Sequence, residues 1–317
     1  METDVAELQF EAAITLNQAL ELMSGSLDGV KPLAGGTDLI VQMRTGRLEP
    51  RRIVDLKRIP ELMGVEQDQD GFLIGAATPC FALGEHEALK AAWPGVVEAA
   101  RLIGSTQIQG RASLGGNICN GSPAADSVPA LIAAGASCII GKGALGGAAL
   151  GSGTMGGTAE LSGDASYVVR RREIPVELMQ TSPGRTCLSD GELLLAIRLP
   201  ARKALTGDAY LRLIPRTEMD IAVVGAGVCL SLDSNKRVVS ARVALGAVAP
   251  TALWVKAAGD CLIGTMLDDA ALKELEAAAR AACKPIDDKR GTIAYRTQVA
   301  GVLARRAALI AYARAQG

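Results

Sequence analysis

Residues 104–136 read GSTQIQGRASLGGNICNGSPAADSVPALIAAGA, and the glycine pair at the centre of this stretch decides the reading of the fold. Ser113-Leu114-Gly115-Gly116-Asn117 sets two glycines between a hydroxyl and an amide side chain. Glycine lacks a Cβ, so it reaches positive φ and lets another group lie directly on the backbone. Successive peptide N–H groups in such a turn converge on a concavity that binds anions, and phosphate is its natural guest. A loop of the same type stands upstream, Ala34-Gly35-Gly36-Thr37-Asp38, directly after Val30-Lys31-Pro32-Leu33. One Gly-Gly pair after an apolar run is usually a plain turn. Two in one chain point to a large ligand gripped from both sides.

Composition narrows the class. A chain of 317 residues can bury a substantial core in two or three folding units. Its formal charge is -1, without a basic run, which argues against a nucleic-acid partner. Aromatic residues make up only 3%, too few for base-stacking platforms. The longest apolar stretches, such as Val128 to Ile140, are too short to span a bilayer. The acidic start METDVAELQF lacks the layout of a signal peptide, so a cytoplasmic location is expected. Seven cysteines are scattered without a Cys-x-x-Cys, and an odd count argues against a closed disulfide framework. The single histidine, His86, reads as a surface or capping residue near a helix start, which leaves no plan needing two histidines.

In chain order, Leu16 to Met23 is helical behind a cap at Thr15. Lys31 to Ala34 and Ile53 to Leu56 read as strands, with a helix or 3₁₀ turn over Leu39 to Met43, together a small βαβ unit. A strand pair follows around a DQD turn, Gly64 to Glu66 with Gly71 to Ala76. Helices are expected over Ala82 to Ala92, Gly95 to Leu102 and Ser127 to Ala134, then a strand over Ser137 to Ile140. Gly141 to Arg172 is rich in Gly, Ala, Ser and Thr and reads as a solvated loop. Strands are expected over Leu193 to Leu199, Ala209 to Leu213, Ala222 to Leu232 and Val238 to Leu245, and helices over Asp268 to Cys283 and Gln298 to Ala313. A run of strands followed by helices indicates an α+β module.

AGGTD, SLGGN and SPAAD (Ser122 to Asp126), in that order, resemble the FAD-binding medium subunit of the molybdenum hydroxylases, the xanthine dehydrogenase and aerobic carbon monoxide dehydrogenase family. The resemblance continues through PRTEMDIA (Pro215 to Ala222) and ALGAVAP (Ala244 to Pro250) to Arg296 and Arg305. It implies an α+β fold: a two-part FAD-binding domain of the vanillyl-alcohol-oxidase/PCMH-like type, then a C-terminal sheet-plus-helices domain like that of the carbon monoxide dehydrogenase flavoprotein. The expected bounds are 1–180, with subdomains of about 1–60 and 61–180, and 181–317. In this family pattern a tight hairpin stands where Gly141 to Arg172 is long.

The resemblance also implies a role. Such a chain carries FAD, takes electrons from the [2Fe-2S] clusters of a small iron-sulfur subunit, and passes them to an external acceptor. A large molybdopterin subunit oxidises the substrate, in a heterotrimer expected to pair into a dimer of heterotrimers. No general base, metal set or nucleophile stands out, which suits electron transfer, so no catalytic or metal-ligating residue is expected. Some relatives, of the 4-hydroxybenzoyl-CoA reductase type, add a [4Fe-4S] cluster in a cysteine-bearing insertion after the second Gly-Gly loop; no such insertion is present. Two other classes are a free-standing FAD-dependent reductase or oxidase and a flavin-free scaffold.

For the cofactor, backbone N–H groups of Gly35, Gly36, Thr37 and Asp38 on one side, and of Gly115, Gly116 and Asn117 on the other, are expected to cradle the diphosphate. There is no G-x-G-x-x-G opening a helix nearby, which argues against a Rossmann dinucleotide site. By resemblance, Ser113, Asn117 and Asp126 touch ribityl, phosphate or ribose groups, Leu194 and Arg212 lie near the isoalloxazine, and Lys31, Leu33 and Ala34 form the strand entering the first loop. Blander roles stand beside these. Asp126 also suits an N-cap, Leu194 suits core, and Arg212 suits a surface pair with Glu218 or Asp220. Ile103 sits where some relatives carry an aromatic that stacks on the flavin.

Overall fold

A computed structural model describes residues 8–24, 29–145, 159–161 and 167–317. Three short strands, Gln9–Ala12, Val30–Leu33 and Arg52–Asp55, form a parallel sheet with the last strand in the middle. The helix Leu16–Leu22 connects the first two, and its Thr15 hydroxyl accepts the Gln18 N–H at 3.2 Å. This is the βαβ unit expected from sequence, with Gln9–Ala12 added at one edge. Leu33 ends its strand, and the first Gly-Gly loop begins directly after it.

The second sheet has six antiparallel strands, in the spatial order Val65–Asp68, Gly71–Gly75, Glu192–Pro200, Ser137–Leu145, Tyr167–Pro175 and Ala159–Leu161. Glu192–Pro200 pairs with Gly71–Gly75 on one side and Ser137–Lys142 on the other. The strand expected just beyond residue 180 thus pairs within the sheet that holds Gly71–Gly75 and Ser137–Leu145. The cause is burial on both faces: Leu193 and Leu195 enter one core cluster while Leu194 and Ile197 enter another. Such a strand needs cover above and below and takes an interior position.

The expected loop over 141–172 is partly strand, since ladders continue to Leu145 and resume at Tyr167. Three consecutive arginines, Arg170 to Arg172, hid that strand from a hydrophobicity reading. Residues 146–158 and 162–166, most of the Gly-rich insertion, lie outside the described residues.

Helices cover this sheet. The single helix expected over 82–92 is two, Cys80–Glu85 and Glu87–Ala92. His86 stands between them, and its Nδ1 accepts the Leu89 N–H at 3.1 Å, a capping role as anticipated. Pro94–Arg101 follows, and Ser127–Ala134 is buried along its whole length.

The C-terminal module is a four-stranded antiparallel sheet of Thr206–Leu213, Val224–Leu232, Val238–Gly246 and Leu253–Trp254. Helices Asp269–Ala282, capped by Asp268, and Ile293–Ala315 belong to the same core. A Cβ on Gly207 would meet the Ala311 carbonyl oxygen at 1.9 Å, so the last helix lies directly on the first strand.

Both C-terminal sequence motifs touch the N-terminal half. Met219 of PRTEMDIA donates its N–H to the Gly104 carbonyl at 3.2 Å, and Ala247 of ALGAVAP donates to the Pro123 carbonyl at 2.8 Å. Both take positive φ, 53° and 62°. Left-handed backbone costs a non-glycine residue about 1–2 kcal/mol, and here it aims each N–H across the interface. Gly95 N–H also donates to Asp208 Oδ2 at 2.8 Å, and Arg314 pairs with Glu98.

Candidate functional site

The two Gly-Gly loops lie side by side. A Cβ built on Gly35 would fall 2.0 Å from the Arg111 carbonyl oxygen, so the first loop packs backbone to backbone against the approach to the second. Gly36 has φ of 75°, the left-handed conformation that glycine serves. Among the described residues, no acceptor takes the N–H of Gly35, Gly36, Thr37 or Asp38. Gly35, Gly36 and Thr37 are half-buried and Asp38 is exposed, so their N–H groups stand open to a ligand or to water. Four in succession without an acceptor fit an anion carrying several oxygens, as the FAD diphosphate does. Lys57 Nζ donates to the Ala34 carbonyl at 3.0 Å and pairs with Asp55 at 2.6 Å, bracing the loop from behind.

The second loop behaves differently from the sequence expectation. It is a six-residue helix, Leu114–Cys119, rather than a turn. Its N–H groups are spent internally: Gly115 donates to Ala76 O at 3.2 Å, Gly116 to Ser113 Oγ at 3.0 Å, and Asn117 to Ser113 O at 3.0 Å. Neither Gly115 nor Gly116 has positive φ. Gly115 is required because a Cβ would meet Ala76 O at 2.4 Å, whereas at Gly116 a Cβ would meet only Ser113 Oγ, at 3.3 Å. The groups left for a ligand here are side chains. Ser113 O–H and Asn117 Nδ2 make no hydrogen bond within the described residues.

Three separate sets of polar contacts lie between the first loop and the C-terminal sheet. Asn120 Nδ2 donates to Asp38 Oδ1 at 3.1 Å, and Gln42 Nε2 donates to Asn120 Oδ1 at 3.0 Å. The Asp38 residue is exposed overall, yet burial around its carboxyl raises the pKa. Asn117 Oδ1 accepts both the N–H of Ser127, at 3.1 Å, and its hydroxyl, at 2.6 Å. Asn117 therefore caps the buried helix, and Asp126 does not: Asp126 is helical in φ and ψ and makes no cap bond.

Asp126 turns instead to the other half of the chain. Its carboxylate accepts from Arg212 Nη1 at 2.7 Å and from the Tyr210 hydroxyl at 3.1 Å. Burial is the larger influence and lifts the Asp126 carboxyl to about 6, opposed by the Arg212 charge and by both hydrogen bonds. The surface pairing considered for Arg212 does not occur, since Asp220 pairs with Arg290 and Arg216. Arg212 Nε is buried without an acceptor among the described residues.

The other expected residues divide. Lys31 and Leu33 lie on the strand that delivers the first loop, and the Leu33 Cδ1 packs 2.8 Å from where a Gly36 Cβ would be. Leu194 is 5% exposed in the core of the six-stranded sheet, and Ile103 is buried in the same cluster. Gln42, Lys57, Asn120 and Tyr210 were not singled out from sequence. Each acts through a partner distant in the chain or through the backbone, which no local pattern displays.

Comparison with known proteins agrees with this architecture. Residues 6–145 match the family model of the FAD binding domain in molybdopterin dehydrogenase, and residues 209–311 match that of the CO dehydrogenase flavoprotein C-terminal domain. The chain is 36% identical over 303 residues to the carbon monoxide dehydrogenase medium chain of Afipia carboxidovorans, covering 95% of this chain and 96% of that one. It is 31% identical over 248 residues to the xanthine dehydrogenase FAD-binding subunit of Escherichia coli O157:H7, covering 76% and 74%. The solved structure of reconstituted CO dehydrogenase from Oligotropha carboxidovorans superposes with a TM-score of 0.84 at 32% identity, covering 97% of this chain and 98% of that one. With a flavin-binding half, a matching C-terminal module and relatives aligned nearly end to end, this chain belongs to the family of FAD-binding medium subunits of the molybdenum hydroxylases.

Proposed function

We propose that the loop 34–38 holds the diphosphate of FAD, that the chain receives electrons from [2Fe-2S] clusters on a small subunit, and that it delivers them to an external acceptor. The carrying observation is the run of N–H groups from Gly35 to Asp38 without an acceptor among the described residues. A hydrogen bond to a charged group contributes about 1.5–3 kcal/mol, so several together hold a dianionic diphosphate without a lysine in the loop. Ser113 and Asn117 close on the ligand through their side chains. Gly115 and Gly116 supply close approach rather than donors. Lys31, Leu33 and Ala34 line the entry, while Asp126, Leu194 and Arg212 stand on the flavin side of the assignment. FAD, when bound, supplies the capacity to accept electrons singly and pass them on; the protein binds and orients it.

Substrate oxidation falls to a separate molybdopterin subunit, and the complex is a heterotrimer, paired as a dimer of heterotrimers in the cytoplasm. Within this chain the two modules are the FAD-binding part, divided near residue 60, and the C-terminal α+β part. Purification of the native complex tests the reading. The expected result is one FAD per chain, with iron and molybdenum on the partners, and a yellow isolated chain that small donors do not bleach. A colourless chain, or one bleached by a small donor without partners, overturns it.

A further inference from the structure

Asp38 brings two groups to the proposed diphosphate site. Its N–H is the last of the four without an acceptor among the described residues, and a carboxyl stands on the same residue. Asn120, directly after the helix of the second loop, orients that carboxyl. Its Nδ2 donates to Asp38 Oδ1 at 3.1 Å, and Gln42 Nε2 donates to Asn120 Oδ1 at 3.0 Å, which fixes the amide with its NH₂ toward Asp38. Asp38 makes no capping bond to Leu39–Arg44, and its Oδ2 has no partner among the described residues. A held carboxyl, with one oxygen engaged and one open, thus lies beside a run of open donors.

A diphosphate brings two negative charges to this place, and an ionised Asp38 would add a third. Lys57, the cation nearest the loop backbone, is committed to Asp55 and to the Ala34 carbonyl. Other titratable groups on the surrounding elements are Lys31 on the entering strand, Arg44 and Arg47 after the loop, and Arg111 before the second loop. Arg185 follows the turn packed on Gly121, and burial keeps the Cys119 thiol protonated. None of these offsets the rise in the Asp38 pKa, whose cause is burial. Two acids sharing one site do not both ionise freely, and the weaker one keeps the proton. A diphosphate diester is a far stronger acid than a carboxyl group, so the proton stays on Asp38.

We propose that Asp38 binds the FAD diphosphate as a neutral carboxylic acid, Oδ2–H donating to a phosphate oxygen while Oδ1 accepts from Asn120, so that cofactor binding takes up one proton from solvent. The inference rests on the function proposed above. In the free chain the Asp38 pKa already lies above 3.8, and bound FAD raises it further. Affinity is therefore level below the free-chain value and falls with pH between the two values, by up to about tenfold per unit.

The test titrates FAD calorimetrically into the deflavinated full chain and into Asp38→Asn. Two buffers of different ionisation enthalpy at about pH 6.5 count the protons taken up, and Kd is followed from about pH 5.5 to about pH 8.5. Asn keeps an oxygen for Asn120, sets an N–H donor where the acid O–H stood, and occupies an exposed position, so the variant is expected to fold. Asp126, lifted to about 6, is common to both proteins and cancels in the comparison. The expected result is about one more proton taken up by wild type, and a Kd that rises at least tenfold more over this range than that of Asp38→Asn. Equal proton counts and parallel pH curves overturn the proposal. Affinity lost with EDTA and restored by Mg²⁺, without proton uptake, also overturns it, because a divalent cation would then balance the charge. Should Asp38→Asn not fold, wild type decides alone, and zero net proton uptake overturns the proposal. A wild-type chain that binds no FAD in any buffer would refute the proposed function, a separate result.

Discussion

Asp126 and Arg212 meet at 2.7 Å, with 10% and 4% of their side chains exposed, and so tie the entrance of the buried helix Ser127–Ala134 to the first strand of the C-terminal module. Breaking a buried pair by removing one partner leaves an uncompensated charge and costs about 3–5 kcal/mol. Arg212→Leu should therefore destabilise strongly, while the double variant Asp126→Asn/Arg212→Leu should recover part of the loss. Urea denaturation of the four proteins in this cycle measures it. Equal destabilisation in the single and double variants would show that the charge is not the cause.

The same carboxyl sets a pH dependence. Burial raises Asp126 from 3.8 to about 6 in the folded chain, with Arg212 and Tyr210 pulling the other way. A raised acid binds its proton more tightly when folded. Its contribution to stability is therefore fully present below about pH 4 and is lost as pH rises through about 6. Asp126→Asn should flatten the pH dependence of stability in that window. Thermal melts at closely spaced pH values test this, and an unchanged slope would refute it.

Asn117 joins two functions that can be separated by substitution. Its Oδ1 caps Ser127, and its Nδ2 is left for a ligand. Asn117→Ala should cost about 0.5–2 kcal/mol through loss of the cap and weaken FAD binding as well. Asn117→Asp keeps an acceptor for Ser127 but sets a negative charge where a diphosphate is expected, so stability should hold while FAD affinity falls. Flavin titration of the apoprotein alongside a denaturation curve distinguishes these outcomes.

Which parts were legible in the sequence follows from the range of the forces involved. Thr15, His86 and Asp268 act within four residues of themselves, and local patterns display such caps directly. Asp126 looked like another cap because it precedes an apolar helix. Its carboxylate is claimed by Arg212, 86 residues away, and the cap is supplied by Asn117, 10 residues before Ser127. The Gly-Gly loops looked alike, yet among the described residues one has no acceptor for its N–H groups and the other spends them on Ala76 and Ser113. Glu192–Pro200 was found as a strand, but only its pairing partners, Gly71–Gly75 and Ser137–Lys142, both far back in the chain, assign it to a sheet.

Glycine substitutions should now separate packing from ligand space. Gly35→Val drives a side chain into the Arg111 carbonyl, and Gly36→Val forces a branched residue to positive φ; both should give colourless chains with the C-terminal module still folded. Gly116→Ala meets only Ser113 Oγ, so the fold should tolerate it, and any loss of flavin there reports on ligand contact. Absorbance at the flavin band and limited proteolysis of the C-terminal module provide the readout. Full flavin in Gly36→Val would refute the assignment of the first loop.

The final prediction is that the isolated chain contains releasable FAD and no iron. An iron-sulfur cluster needs four thiolates brought together. Cys119, Cys138 and Cys187 lie close enough to influence one another electrostatically, which makes them the strongest set among the seven free cysteines. That set is one ligand short, and among the described residues no group of three or more His, Cys, Asp or Glu is arranged to hold a metal ion. Burial also opposes the thiolate form: it pushes Cys119 up to about 12 and Cys138 higher still, with neighbouring thiols adding to both. A cluster would have to overcome that desolvation at each ligand, whereas a protonated thiol in an apolar core is stable as a small hydrophobic group. No His or Cys stands in either Gly-Gly loop to attach flavin covalently. Acid precipitation should therefore send the yellow colour to the supernatant, and iron and sulfide assays should read background. Stoichiometric iron in the purified single chain would sink this reading, and flavin retained on the precipitated polypeptide would show a covalent link.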